Sequence, residues 1–269
     1  MRRNQTLMVS VLIMLTTGVP SVQATTIVVV RTANEIVIGA DSKVTDAAGT
    51  DTGRQVCKIL QAGNLFVGLE GFFRNPDTGF NLDQVVSKAL RLRPAAPATE
   101  RVAILTGQLT QYLFSELLYI KEKTPRVFER RFVGRPFLRI VVAGFEAGKP
   151  LVFVREFRAA QITPQTLGIT VVQDDCLANC QSEVVTKILG EKEAINGLAE
   201  EAPDFWQDGL AAGVRRLLEI AIASRSEYVG PPVDILSITR GSARWIQRKQ
   251  ECANINIREL RRRPQSRRE

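Results

Sequence analysis

Histidine is absent from all 269 residues. That removes the imidazole base, and with it the Ser-His-Asp and Cys-His arrangements that activate most nucleophilic hydrolases. It also thins the metal ligands, since four cysteines without a histidine do not assemble the usual zinc sets. Neither G-x-G-x-x-G nor G-x-x-x-x-G-K-[ST] occurs, so there is no glycine-rich phosphate loop. No apolar run reaches the roughly 20 residues of a bilayer crossing. A hydrolase built from this chain needs another base. A free N-terminal α-amine, with a pKa near about 8, can take a proton at neutral pH.

The first residues suggest how such an amine would arise. Arg2 and Arg3 form a short basic region, Leu7 to Val19 is mostly apolar, Pro20 breaks the run, and V22-Q-A24 offers small residues at a cleavage site. This is the layout of a cleaved secretory signal over residues 1–24; an uncleaved anchor is the alternative. Cleavage after Ala24 would leave Thr25 with a free α-amine, in a secreted or periplasmic protein. What remains is enough for one large domain, expected over 25–250. Its net charge falls from +8 to +6 as two arginines leave. Much of the excess lies in R258-E-L-R-R-R-P-Q-S-R-R-E269. Basic tails can bind nucleic acid or anionic membrane, but behind a signal, residues 251–269 read as a solvated, disordered tail. The core is nearly neutral, so neither nucleic acid nor, after cleavage, membrane is expected as a partner. The cysteines are Cys57, Cys176, Cys180 and Cys252. An even count in an oxidising compartment favours disulfides, with connectivity open, although C176-L-A-N-C180 could close a small loop. Cys57 reads as a buried strand residue, and Trp206 and Trp245 as packing residues.

Periodicity predicts a hairpin of Thr26–Arg31 and Glu35–Ala40 across T32-A-N34. A second strand pair is expected at 54–60 and 65–68. Helices follow within 81–122, with Leu82, Val85, Val86, Ala89 and Leu90 on one face, then Val102, Leu105, Leu109 and Leu113. Strands return at 137–143 and 151–155, and 158–181 has no clear pattern. Two more helices are expected at about 182–199 and 204–224, and a last strand pair at 233–238 and 243–247. Strand pairs alternating with helix pairs make an α+β chain of sheets covered by helices.

T25-T-I-V-V-V-R-T-A-N-E-I-V-I-G-A-D-S-K-V-T45 resembles the opening of proteasome β-type subunits and their bacterial relatives, which are N-terminal nucleophile hydrolases. The likeness continues in V56-C-K-I59, L65-F-V-G-L-E-G71 and G230-P-P-V-D-I-L-S-I238. It implies a four-layer α-β-β-α sandwich and an amide-bond hydrolase that uses no cofactor or metal. Thr25 matches the nucleophile, and Asp41 the carboxylate that steadies the N-terminal region. Lys43 matches a basic position two residues on, sharing a strand face with Asp41, and Gly68 matches the residue whose backbone N–H stabilises the oxyanion. A peptide or amide substrate and a homo-oligomeric ring are further implications.

Three positions depart from that pattern. Ungapped alignment puts Gln55 where the family has a lysine, with Arg54 and Lys58 out of phase and aimed at the opposite face. Ser226 and Val229 stand where the family has Asp and Ser, and its other serine, expected within 158–181, has no counterpart. Three functions follow: a secreted threonine-type peptidase or amidase, an inactive module of the same fold serving binding or assembly, or an acylase of small amides.

Overall fold

From Thr26 to Arg31 and from Ile36 to Ala40 every side chain is buried. Buried strands with such continuous apolar runs need a covering layer on each face. In this computed structural model the residues described are 21–22, 25–45, 50–161, 163, 166–177, 180, 183–202 and 204–252. The signal read over 1–24, Ser21 and Val22 apart, and the tail beyond Cys252 lie outside them.

The strands are β1 (Ser21–Val22), β2 (Thr26–Arg31), β3 (Glu35–Ala40), β4 (Lys43–Thr45), β5 (Asp51–Gln55), β6 (Ile59–Ala62) and β7 (Leu65–Asn75), then β8 (Phe80–Asn81), β9 (Pro136–Glu146), β10 (Lys149–Gln161), β11 (Leu167–Gln173), β12 (Val185–Gly190), β13 (Asp234–Thr239) and β14 (Ala243–Gln247). The helices are α1 (Leu82–Arg91), α2 (Ala98–Lys123), α3 (Pro125–Arg131), α4 (Leu198–Glu201) and α5 (Leu210–Ser224). The described residues are mixed, about 30% helix and 40% strand. One sheet runs β1-β7-β9-β10-β11, with β6 and β8 also paired to β7; a second runs β12-β2-β3-β13-β14; β4 and β5 form a ribbon. All of these pairings are antiparallel.

Alternation along the strands sorts the core into three clusters. Ile27 and Val29 of β2, with Ile36 and Ile38 of β3, meet Phe66, Val141 and Val152 of the other sheet. The residues between them, Val28, Val30 and Val37, point the other way onto Val214, Leu217, Leu218 and Ala221 of α5. On the far side of the first sheet, Leu65, Val67 and Leu69 face the apolar stripes of α1 and α2, including Val86, Leu105, Leu109 and Leu113. Helix α1 starts where the Asn81 side chain accepts the Asp83 N–H at 3.1 Å, an N-cap.

The structure departs from the sequence expectations at four places. Of the helix expected over 182–199, the described residues up to Gly197 form none: β12 occupies Val185–Gly190, and only the single turn of α4 follows. Strand β2 would otherwise leave an unpaired edge, and V184-V-T-K-I-L189 carries the β-branched residues suited to it. The alternation of strand pairs with helix pairs therefore breaks in the second half. The strand expected over 54–60 is interrupted at Val56–Lys58. Cys57, half-buried in that gap rather than within a strand, is bonded to Cys252. Cys252, assigned to the solvated tail, is buried in a 3-10 turn. The small loop closed by Cys176 and Cys180 is present. Trp206 stacks edge-on against Phe205 at 4.9 Å beside the α5 cluster, and Trp245 packs against the cluster between the sheets.

Candidate functional site

Thr25 stands immediately before β2, fully buried, and its Oγ1 makes no hydrogen bond. Its carbonyl accepts the Glu191 N–H at 2.9 Å, and Thr26 returns the link by donating Oγ1 to Glu191 O at 2.9 Å. The junction is tight because Gly190 has φ of +85°, and a Cβ there would lie 1.7 Å from Thr25 O. Only glycine fits. The segment where the resemblance expects a second serine runs instead through β10 and β11, and Gly190 and Glu191 are what meet Thr25.

Asp41, fully buried, follows β3 and is held from four directions. Its Oδ1 accepts the Thr26 N–H at 3.0 Å and the Lys58 Nζ at 2.7 Å; its Oδ2 accepts the Lys43 N–H at 3.1 Å and the Gly230 N–H at 3.2 Å. A buried carboxylate needs this degree of satisfaction to remain there. The consequence is that residue 26, and so the start of β2, is located by a charged hydrogen-bonded hub.

Lys58 corrects the strand-phase expectation. It does not point to the opposite face: its side chain is wholly buried and its ammonium pairs with Asp41, also donating to Lys43 O at 2.9 Å. Burial pushes this ammonium below its ordinary pKa, against the opposing pull of Asp41. The break at Val56–Lys58 resets the pleat, so phase counted from β5 does not apply beyond it. Gln55 is exposed in β5, across the ribbon from Lys43, and holds no part of the hub.

Lys43 contributes its backbone to Asp41, but not its charge. Its Nζ donates to Ser226 O at 2.7 Å and lies 3.1 Å from Asp51, which is half exposed. The expected sharing of a strand face with Asp41 does not occur, because Asp41 precedes β4. Lys43, Gln55, Ser226 and Val229 instead border a separate cavity of about 200 Å³. Gly68 lies within β7, opposite Ile59 and Val141, where a Cβ would come within 2.8 Å of Val141 and 3.3 Å of Ile27. The next residue, Leu69, donates its N–H to Lys58 O at 2.9 Å, which ties this strand to the hub.

Sequence reasoning missed two further groups. Glu70 is buried, ion-paired to Arg139 at 3.0 Å, and burial pushes its carboxyl up to about 7. A Cβ on Gly190 would lie 3.3 Å from Glu70 Cγ as well as against Thr25 O, so the Glu70 side chain and Thr25 meet at the same glycine. Arg139 also pairs with Glu156 at 2.7 Å, and both line a cavity of about 200 Å³ that reaches Gly190. The second group, around Lys249, is described below. For Lys58 a signal existed in V56-C-K-I59; for Glu70 and Gly190 none did, since their proximity to Thr25 comes from strand pairing. Chemically, the arrangement offers an unbonded hydroxyl on the residue preceding the one that Asp41 holds, and among the described residues no cluster suited to a metal ion. No family model matches the chain, and no curated protein matches it.

Proposed function

We propose that the chain is an exported N-terminal threonine hydrolase acting on peptide or amide bonds, and that its layers form a four-layer α-β-β-α sandwich. The observation that carries this reading is the placement of Thr25, its Oγ1 unbonded, one residue before the Thr26 N–H that the Lys58-paired Asp41 accepts. The buried Lys58 ammonium supports this reading by offering a cation where Gln55 has none. The packing order of helices, sheet, sheet and α5 supports the fold. Two disulfides suit an oxidising compartment, and no helix among the described residues is long and apolar enough to cross a membrane.

In this mechanism signal cleavage after Ala24 frees the Thr25 α-amine. The hydroxyl oxygen attacks the substrate carbonyl while its proton passes to that amine, and the oxyanion needs a backbone N–H; Gly68, which the resemblance offers, lies inside β7 between β6 and β9 and is not joined to Thr25. The carbon–nitrogen bond then breaks as the amine returns the proton to the leaving group, and water hydrolyses the remaining ester. The Lys58 cation favours the neutral, proton-accepting amine. Asp41, through the Thr26 N–H, keeps the residue in register. The second reading, an inactive module for binding or assembly, draws on Ser226, which has no carboxylate where the family has Asp, and Val229, which has no hydroxyl where the family has Ser.

The test is an electrophile that closes a ring through a hydroxyl and its adjacent α-amine. Intact mass should show a single addition to the mature protein, whose sequenced N-terminus should be Thr25. Thr25→Ala should abolish labelling and leave unfolding nearly unchanged, because the hydroxyl it removes makes no hydrogen bond. Equal labelling of the two proteins, or a mature chain that does not begin at Thr25, rejects the hydrolase reading.

A further inference from the structure

A second buried lysine–aspartate pair stands beside the first, outside the site described so far. Lys249 follows β14 and is almost wholly buried. Its backbone N–H donates to Asp234 Oδ1 at 2.8 Å, and its Nζ lies 3.0 Å from Asp234 Oδ2. The same Nζ donates to Ser42 Oγ at 2.6 Å and to Val56 O at 2.7 Å. Those acceptors flank the hub: Ser42 follows Asp41, and Val56 precedes Lys58 by two residues. Ser42 also donates its N–H to Gly230 O at 3.1 Å and its Oγ to Pro232 O, the segment whose Gly230 N–H holds Asp41. One ammonium thus ties together the three segments that locate Asp41 and Lys58.

The covalent framework converges on the same place. Cys57 immediately precedes Lys58, and its partner Cys252 donates its N–H to Lys249 O at 3.1 Å. This single bond, spanning 195 positions, fastens the segments of both lysines. A buried ion pair is often no more stable than apolar residues of equal volume, so its presence here is weak support for a purely stabilising role. The charged groups facing Lys58 are Asp41, Lys249 and Glu70; those facing Lys249 are Asp234, Asp41 and Glu251. Burial lowers the pKa of each ammonium, and the charge of Lys249 lowers that of Lys58 further.

We propose that Lys249, locked by the Cys57–Cys252 disulfide, is a positioning residue for the Asp41–Lys58 pair, so that the reactivity of Thr25 depends on both. The inference rests on the threonine-hydrolase reading. Under it, export would supply two requirements at once: the cleavage that frees Thr25 and the oxidation that closes this bond.

The test is the labelling rate of mature Thr25 as a function of pH, with unfolding followed in parallel. Lys249→Gln releases Ser42 Oγ and Val56 O and so loosens the placement of the Lys58 cation, and the labelling midpoint should rise by about one pH unit. Cys57→Ala/Cys252→Ala should label roughly a hundredfold more slowly, because small misplacements of a catalytic group have effects of that size. Cys176→Ala/Cys180→Ala should keep the wild-type rate. A lower unfolding temperature with an unmoved midpoint in Lys249→Gln, or wild-type labelling in the Cys57/Cys252 variant, overturns the proposal. Should those variants fail to fold, the folded wild-type protein is reduced by a dithiol. Two electrons and two protons then give the two thiols while the dithiol closes to its own disulfide. Retained labelling after that reduction, with far-UV dichroism unchanged, also overturns it. Failure of the unreduced wild type to label rejects the parent hydrolase reading, and this inference with it.

Discussion

Replacing Lys58 by methionine is the most direct perturbation of the hub. The thioether roughly fills the space of the lysine stem, so the change leaves little cavity and mainly deletes the ammonium. Asp41 then keeps three backbone donors, from Thr26, Lys43 and Gly230, but loses the buried cation paired to it at 2.7 Å, while Lys43 O loses a donor. Removing one partner of a buried pair costs about 3–5 kcal/mol, and the surviving donors place the expectation near about 3 kcal/mol. For a domain of this size that is roughly 6–12 °C in unfolding temperature. Urea unfolding of the disulfide-intact protein at neutral pH measures it. Asp41→Asn should cost a similar amount, and the double variant less than the two together, since no uncompensated charge then remains. Lys43→Met offers the contrast: its partner Asp51 is half exposed, so the change should cost under about 1 kcal/mol. The reasoning is refuted if Lys58→Met unfolds like wild type, or if the two single costs simply add.

Two other substitutions test particular residues. Gln55→Lys should leave both Thr25 labelling and the unfolding midpoint at wild-type values, because the side chain is exposed in β5 and Asp41 already pairs with Lys58; faster labelling would restore Gln55 as the family's lysine position. Glu70→Gln should change how stability varies with pH. Burial raises the Glu70 carboxyl from 4.5 to about 7, so its contribution is fully present below the lower value and lost as pH rises through the upper one. The wild type should therefore lose roughly 3 kcal/mol relative to Glu70→Gln between those limits, read from urea midpoints at several pH values, and parallel curves would contradict the assignment.

The features legible in the sequence were the local ones. The β-branched runs on either side of T32-A-N34 form β2 and β3, because a strand buried on both faces needs continuous apolar residues and the short polar turn between them leaves only a hairpin. The stripes at Leu105, Leu109 and Leu113 likewise define one face of α2 whatever lies beneath them. The lack of histidine narrowed the chemistry, and the A40-D-S-K-V-T45 segment pointed to Asp41. Tertiary structure decided which cation meets that carboxylate. Strand phase predicts orientation only while the pleat is continuous, and the interruption at Val56–Lys58 turned Lys58 inward while Gln55 stayed at the surface. The β12 strand was equally hidden, since its pairing was set by the free edge of β2 rather than by its own periodicity. Pairing across that edge, not spacing along the chain, brings Gly190 and Glu191 against Thr25, with Glu70 of the other sheet beside them. Cys57 and Cys252 are 195 positions apart, so only folding could show that their bond joins the segments of two buried lysines.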